Sequence, residues 1–161
     1  MNATLDKGLE QSRVPRLPAH SNPSVIREVL EVTNSIESCR LNPVASWQAG
    51  IAMQRLPLLG LVTYHYAVGI LPSREIEQEL WTDAAFRAVC GFEFARWQLI
   101  RHFRRLNRPV IRDCLEETLR RASHGANRRH RLSTFSENDF SSEAETRITN
   151  AIFLDSGEDE P

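Results

Sequence analysis

Arg101, Arg104, Arg105 and Arg108 fall at i, i+3, i+4 and i+7. That spacing gathers four guanidiniums on one face of an α-helix. A guanidinium is a permanent cation with five donors in a planar fork, a geometry that matches phosphate oxygens. The spacing therefore predicts an exposed cationic helix face able to meet a phosphate backbone. His102 lies within this row and Arg112 continues it one turn on. A second cluster, Arg128, Arg129 and Arg131, has the composition of a basic arm, and such an arm needs little else to bind a polyanion weakly. The same residues also fit a solvated helix face whose arginines pair with local acids. Spacing alone leaves both readings open.

Other chemistry is thinly represented. Cys39, Cys90 and Cys114 form no CxxC pair and stand at no Cys/His ligand spacing, so no zinc site is expected. Cys90 and Cys114 sit among apolar helical positions and read as core residues. His65 reads as a hydrogen-bonded core histidine, and His102, His124 and His130 have no ligand-like neighbours. Ser73 and Thr82 read as helix caps, and Trp97 and Phe103 as core aromatics. There is no glycine-rich phosphate loop and no Ser/His/Asp or Cys/His set. The expectation is a binding protein, not an enzyme, with no cofactor and no metal.

The net charge of −1 conceals an asymmetry. Residues 96–131 hold eleven arginines against Asp113, Glu116 and Glu117, a balance of +8. Residues 137–161 hold eight acids against Arg147, a balance of −7. A basic block points to a polyanionic partner. The acidic segment either lies over that block or is a solvated tail, and we read it as a tail. Lys7 is the only lysine. No secretory signal is expected at the N-terminus. The longest apolar-rich run, Leu56 to Leu71, is shorter than a bilayer span and contains His65, so it reads as a buried helix of a cytoplasmic protein.

The elements that must position these residues are helical. Asn22-Pro23-Ser24 is a start signal for an amphipathic helix over about 24–39. Arg40 to Pro43 is a connector, and 44–54 could form a short helix. Pro57 opens a helix that is apolar nearly all round and stops at Gly69. Ser73 caps a short helix over 74–80, and Thr82 caps the next, which Gly91 ends. A helix over about 94–107 turns Trp97, Ile100, Phe103 and Leu106 to the core, and Pro109 restarts the chain as a helix to about Ala122. Only 151–154 reads as a short strand. The expectation is a mostly α fold: one compact multi-helix domain over 24–123, containing a helix-turn-helix candidate over 73–108. Residues 1–22 are expected to be disordered, 124–136 a basic linker and 137–161 an acidic disordered tail.

The run LLGLVTYHYAVGILPSREIEQELWTDAAFRAVCGFEF, followed by IRHFRRLNRPVI, resembles the N-terminal domain of InsH-type transposases of bacterial insertion sequences. Tyr64, Tyr66 and Gly69 stand in the apolar helix. Ser73 to Glu77 match the family's short serine–arginine helix. Asp83, Ala85, Phe86 and Arg87 match its D-x-A-F-R segment, and Phe103-Arg104-Arg105 with Asn107-Arg108 match its F-R-R and asparagine–arginine. The resemblance covers about residues 55–110. The segment Glu93 to Gln98 departs from the family's Pro-Asp or Asp-His element. The resemblance implies a role in binding the terminal inverted repeats of a transposon. In the family an RNase H-like domain with an Asp/Asp/Glu triad follows. Too few residues follow Ala122 for such a sheet, and Asp155 is not expected to be catalytic.

The sequence thus leads to a DNA-binding module of a truncated or split transposase, acting without strand transfer. Its expected contacts are Arg101, His102, Arg104, Arg105, Arg108, Arg112, Arg128, Arg129 and Arg131. Its expected partners are duplex DNA and either a second copy or a full-length transposase. The alternative is a helical interaction module that dimerises through Leu56–Ile70 and has no nucleic-acid role.

Overall fold

The structure is a computed structural model and describes residues 22–43, 55–83, 87, 94–127 and 137–157. Those residues form five α-helices and one short 3-10 turn, with no strand among them. The fold is mostly α, as expected from the periodicity. The longest helix, α4, packs against each of the other four, and α1 and α2 also pack together.

Helix α1 spans Pro23–Asn34. Asn22 caps it, its Oδ1 accepting from the Ser24 and Val25 N–H groups at 3.1 and 3.3 Å. This satisfies two of the donors a helix start leaves orphaned. Val25, Val29, Val32 and Thr33 form its buried stripe. The 3-10 turn Ser38–Arg40 then leads to Leu41, which is buried.

Helix α2 spans Arg55–Val68, and every residue from Leu58 to Val68 is buried. An all-round apolar helix can only be stable at the centre of a bundle. Gly69 stops it with φ 91°. The Ile70 N–H reaches back to the His65 carbonyl at 2.8 Å and the Gly69 N–H to Tyr66 at 3.2 Å. This pairing closes the helix end with the positive φ that glycine adopts most readily. Because α2 is consumed inside the bundle, Leu58–Val68 offers no dimerisation surface.

Helix α3 spans Ser73–Thr82 and turns Ile76 and Leu80 inward. Thr82 is therefore the last residue of α3, its hydroxyl donating to the Glu79 carbonyl, and not the cap of a following helix. The expected 84–89 helix and Gly91 turn lie, Arg87 apart, outside the described residues, as do 44–54 and Cys90. Arg87 is helical, and its N–H bonds the Asp83 carbonyl at 3.0 Å.

The two helices expected on either side of Pro109 are one element, α4, over Trp97–Asn127. It kinks at Asn107, whose φ of −122° and ψ of 19° leave the helical region. Pro109 supplies no N–H and its ring crowds the carbonyl four residues back, which is the physical cause. The kink is tied to the connector. Asn107 Oδ1 accepts from the Asn42 N–H at 2.7 Å, and Asn42 Nδ2 donates to the Leu106 carbonyl at 2.8 Å.

The acidic segment, expected to be a disordered tail, is folded over 137–157. Residues Glu137–Gly157 form a 21-residue helix, α5, laid along α4. Phe140, Ala144, Ile148 and Ala151 are buried at its interface. The segment read as a strand, 151–154, belongs to this helix. Its inward face also carries Glu143, Arg147 and Asp155, which are buried as well. An interface built from alanines and charges hides the apolar period that composition would otherwise reveal. Cys114 is buried in α4, whereas Cys39 is exposed.

Candidate nucleic-acid interface

The four-arginine face does not exist as a surface. Arg104 is 2% exposed and Arg101 7%. Both turn toward α5, where Asp155 is 2% exposed. Arg104 Nη2 donates to Asp155 Oδ2 at 2.7 Å, and its Nη1 donates to the Tyr66 hydroxyl at 2.9 Å. Arg101 Nε lies 3.4 Å from the same Asp155 oxygen, an ion-pair distance without hydrogen-bond geometry. Asp155 also accepts from the Ser73 N–H at 2.9 Å and the Ser73 hydroxyl at 2.5 Å. A carboxylate thus caps α3 from another helix, on the positive end of the α3 dipole. Ser73 is the first helical residue and not the cap.

Arg147 makes a second buried staple. Its Nε donates to Glu143 at 2.6 Å, and its Nη1 donates to the Tyr66 and Ala67 carbonyls, both at 2.7 Å. These carbonyls belong to the last turn of α2, where a cation offsets the negative helix end. Burial pushes the Tyr66 hydroxyl up to about 12 despite the nearby Arg104. His65, also buried, is lowered to about 4 by the same desolvation, against a bond from its Nδ1 to the Leu61 carbonyl at 2.8 Å. It is the core histidine its position implied.

Arg108 pairs with Glu145 of α5 and lies 3.3 Å from the Thr149 hydroxyl. Its side chain remains 42% exposed. Arg112 is bound to its neighbour Asp113 at 2.9 Å and is similarly exposed. Further along α4, Arg120 pairs with Glu116 and Glu117, and Arg121 with Glu117 and Glu31. The helix read as a solvated tail thus lies over the basic block and neutralises three of its arginines, Arg101, Arg104 and Arg108.

The next stripe of α4 is open to solvent. His102 and Arg105 are exposed, as are Gln98 on the same stripe and Arg96 just before the helix. Of the expected contacts, His102, Arg105, Arg108 and Arg112 therefore remain accessible. Arg101 and Arg104 do not, and Arg128, Arg129 and Arg131 lie outside the described residues.

The α3 residues Arg74, Glu77 and Trp81, at i, i+3 and i+7, meet the chain where α4 begins. The Arg74 guanidinium lies over the Trp97 ring, 4.7 Å from its centroid, and that of Arg101 lies over the same ring at 4.3 Å. Glu77 accepts from the Trp97 N–H at 3.0 Å and so caps α4. Trp81 stacks on Phe94 at 4.6 Å, and Arg87 lies 5.9 Å from the Phe94 centroid. Trp81 is nonetheless 63% exposed. The spacing of Arg74, Glu77 and Trp81 was readable as one helix face, but their docking on Phe94 and Trp97 was not. Trp97 is half-buried here, while Phe103 is wholly in the core.

Among the described residues, no three His, Cys, Asp or Glu side chains converge to hold a metal ion. No single helix there is long and apolar enough to cross a membrane. No family model matches the chain, and neither a curated protein nor a solved structure matches it.

Proposed function

We infer that this chain binds duplex DNA without cutting it, through the start of α4 and the aromatic–arginine corner beside it. The observation that carries the reading is the exposed group Arg96, Gln98, His102 and Arg105, flanked by the exposed Arg74. A helix that reads a major groove presents its N-terminal residues to base edges while its far side is anchored in the fold. The α4 start meets both requirements. Arg101 and Arg104 act on this surface indirectly, as anchors. The sequence resemblance to InsH-type transposases agrees with a terminal-repeat substrate and with a second copy or a full-length transposase as partner.

Salt dependence is the test. Log affinity for a labelled duplex should fall linearly with log salt, with a slope of about −0.9 per phosphate neutralised. The double variant Arg96→Glu/Arg105→Glu should weaken binding and flatten that slope by roughly two contacts, with an unchanged circular-dichroism spectrum. Absence of any duplex retention by the full chain at about 50 mM salt, within the range where such contacts are strong, would sink the reading.

Trp81 favours a second reading, an interaction module. An exposed tryptophan amid arginines has the composition of a protein-interface anchor. In that case the chain self-associates through the Trp81–Phe94 patch and not through α2. Sedimentation would then show a dimer that Trp81→Ala dissociates, with no duplex binding in either protein.

A further inference from the structure

A groove of about 460 Å³ runs between α4 and α5, lined by Arg108, Pro109, Arg112, Ser141, Ser142 and Glu145. Arg108 and Arg112, one helical turn apart, line one wall, and Ser141 and Ser142 line the other. Both arginine side chains are more than 40% exposed, in contrast to the sealed Arg101 and Arg104. The one carboxylate lining the groove, Glu145, is bound to Arg108. Arg112 leans on Asp113, which is itself exposed and also faces Arg40 at 3.8 Å.

We propose that this groove is a phosphate-binding site in which Glu145 takes the place of the phosphate while no ligand is bound. The chemistry of the wall fits a tetrahedral anion. Paired guanidiniums offer forked donors, and hydroxyls satisfy the remaining oxygens. The Arg108–Glu145 pair is half-exposed, the kind of ion pair that holds only weakly in water. A phosphate, with more charge and more acceptor oxygens, displaces the carboxylate into solvent. Asp155 cannot be displaced in this way, because it is buried and accepts three hydrogen bonds from Ser73 and Arg104, with Arg101 beside it. These two carboxylates of α5 thus have different roles: Asp155 fixes the helix, and Glu145 guards a site. The phosphate comes either from a duplex backbone, in which case this site deepens the DNA-binding reading, or from a free phosphate or phosphomonoester.

The test uses the full chain and two probes, inorganic phosphate followed by phosphorus NMR and a labelled duplex followed by anisotropy. Glu145→Gln should tighten phosphate binding about two- to fivefold, the range expected on removing an exposed ion-pair competitor. Asp139→Asn, an acid on the same helix outside the groove, sets the background effect of removing one charge. Arg108→Ala/Arg112→Ala should abolish saturable phosphate binding while the melting transition persists. If the duplex shows the same gain in Glu145→Gln, the source is DNA. If phosphate shows it and the duplex does not bind, the site stands with a free phosphate as ligand and the duplex reading fails alone. No saturable phosphate binding in either the parent or Glu145→Gln overturns the proposal. So does a Glu145→Gln gain no larger than that of Asp139→Asn.

Discussion

Replacing Asp155 by alanine should destabilise the whole bundle, although only two residues of its helix follow it. Its carboxylate receives the Ser73 N–H and hydroxyl and the Arg104 guanidinium at 2.5–2.9 Å, with Arg101 at 3.4 Å. All four residues are buried. Removing the carboxylate leaves Arg104 in the interior without its hydrogen-bonded ion-pair partner and strips α3 of its cap. Breaking a buried pair from one side costs about 3–5 kcal/mol, because the surviving charge stays desolvated. That is a large share of the roughly 5–15 kcal/mol available to a domain of this size. Urea denaturation at neutral pH measures it as a fall in midpoint with unchanged slope. The exposed pair partner Glu145→Ala, by comparison, should cost about 1 kcal/mol or less. Arg104→Met combined with Asp155→Leu should recover part of the loss, since an apolar pair carries no desolvation cost. A loss below about 1 kcal/mol in Asp155→Ala, the range of exposed pairs, would refute the claim that this network closes the bundle.

Other perturbations follow from the same geometry. His65 is lowered to about 4 from 6.5, so the folded state binds its proton more weakly than the unfolded chain does. Stability should therefore be complete above pH 6.5 and fall as pH drops toward 4, by about 3 kcal/mol for this group. Comparing the parent with His65→Gln across that window isolates the histidine from the carboxylates, and parallel pH curves would remove it as the cause. Gly69→Ala places a side chain at φ 91° and should cost about 1–2 kcal/mol in thermal or urea unfolding. Ile148→Ala should cost about 2–5 kcal/mol, since the side chain is fully buried under α4. Phe153→Ala, on the same helix but 77% exposed, should stay within about 0.5 kcal/mol. Equal silence of both would mean that α5 does not pack.

How much of this was legible in the sequence depends on the range of the forces involved. Asn22 as a cap, Gly69 as a stop, the Pro109 interruption and the all-round apolar α2 were readable because each rests on a neighbour within a few residues. The buried fate of His65 and Cys114 followed from the apolar positions around them. The four arginines share a helix face, as their spacing predicts, but Arg101 and Arg104 on it are buried. Periodicity says which residues share a face but not what covers it. The cover, α5, begins at Glu137, nearly thirty residues beyond Arg108. Its own signal was weak, since its buried positions are two alanines, one phenylalanine and one isoleucine among inward charges.

The sequence by itself therefore determined the helical class, several helix ends and the arginine face, all products of local backbone and side-chain chemistry. Only the tertiary structure decided which arginines meet solvent. Asp155 holds Arg101 and Arg104 inside, and Glu145 holds Arg108 at the rim. A guanidinium has the same charge in either place, and burial with a matched carboxylate turns it from a ligand contact into a structural tie.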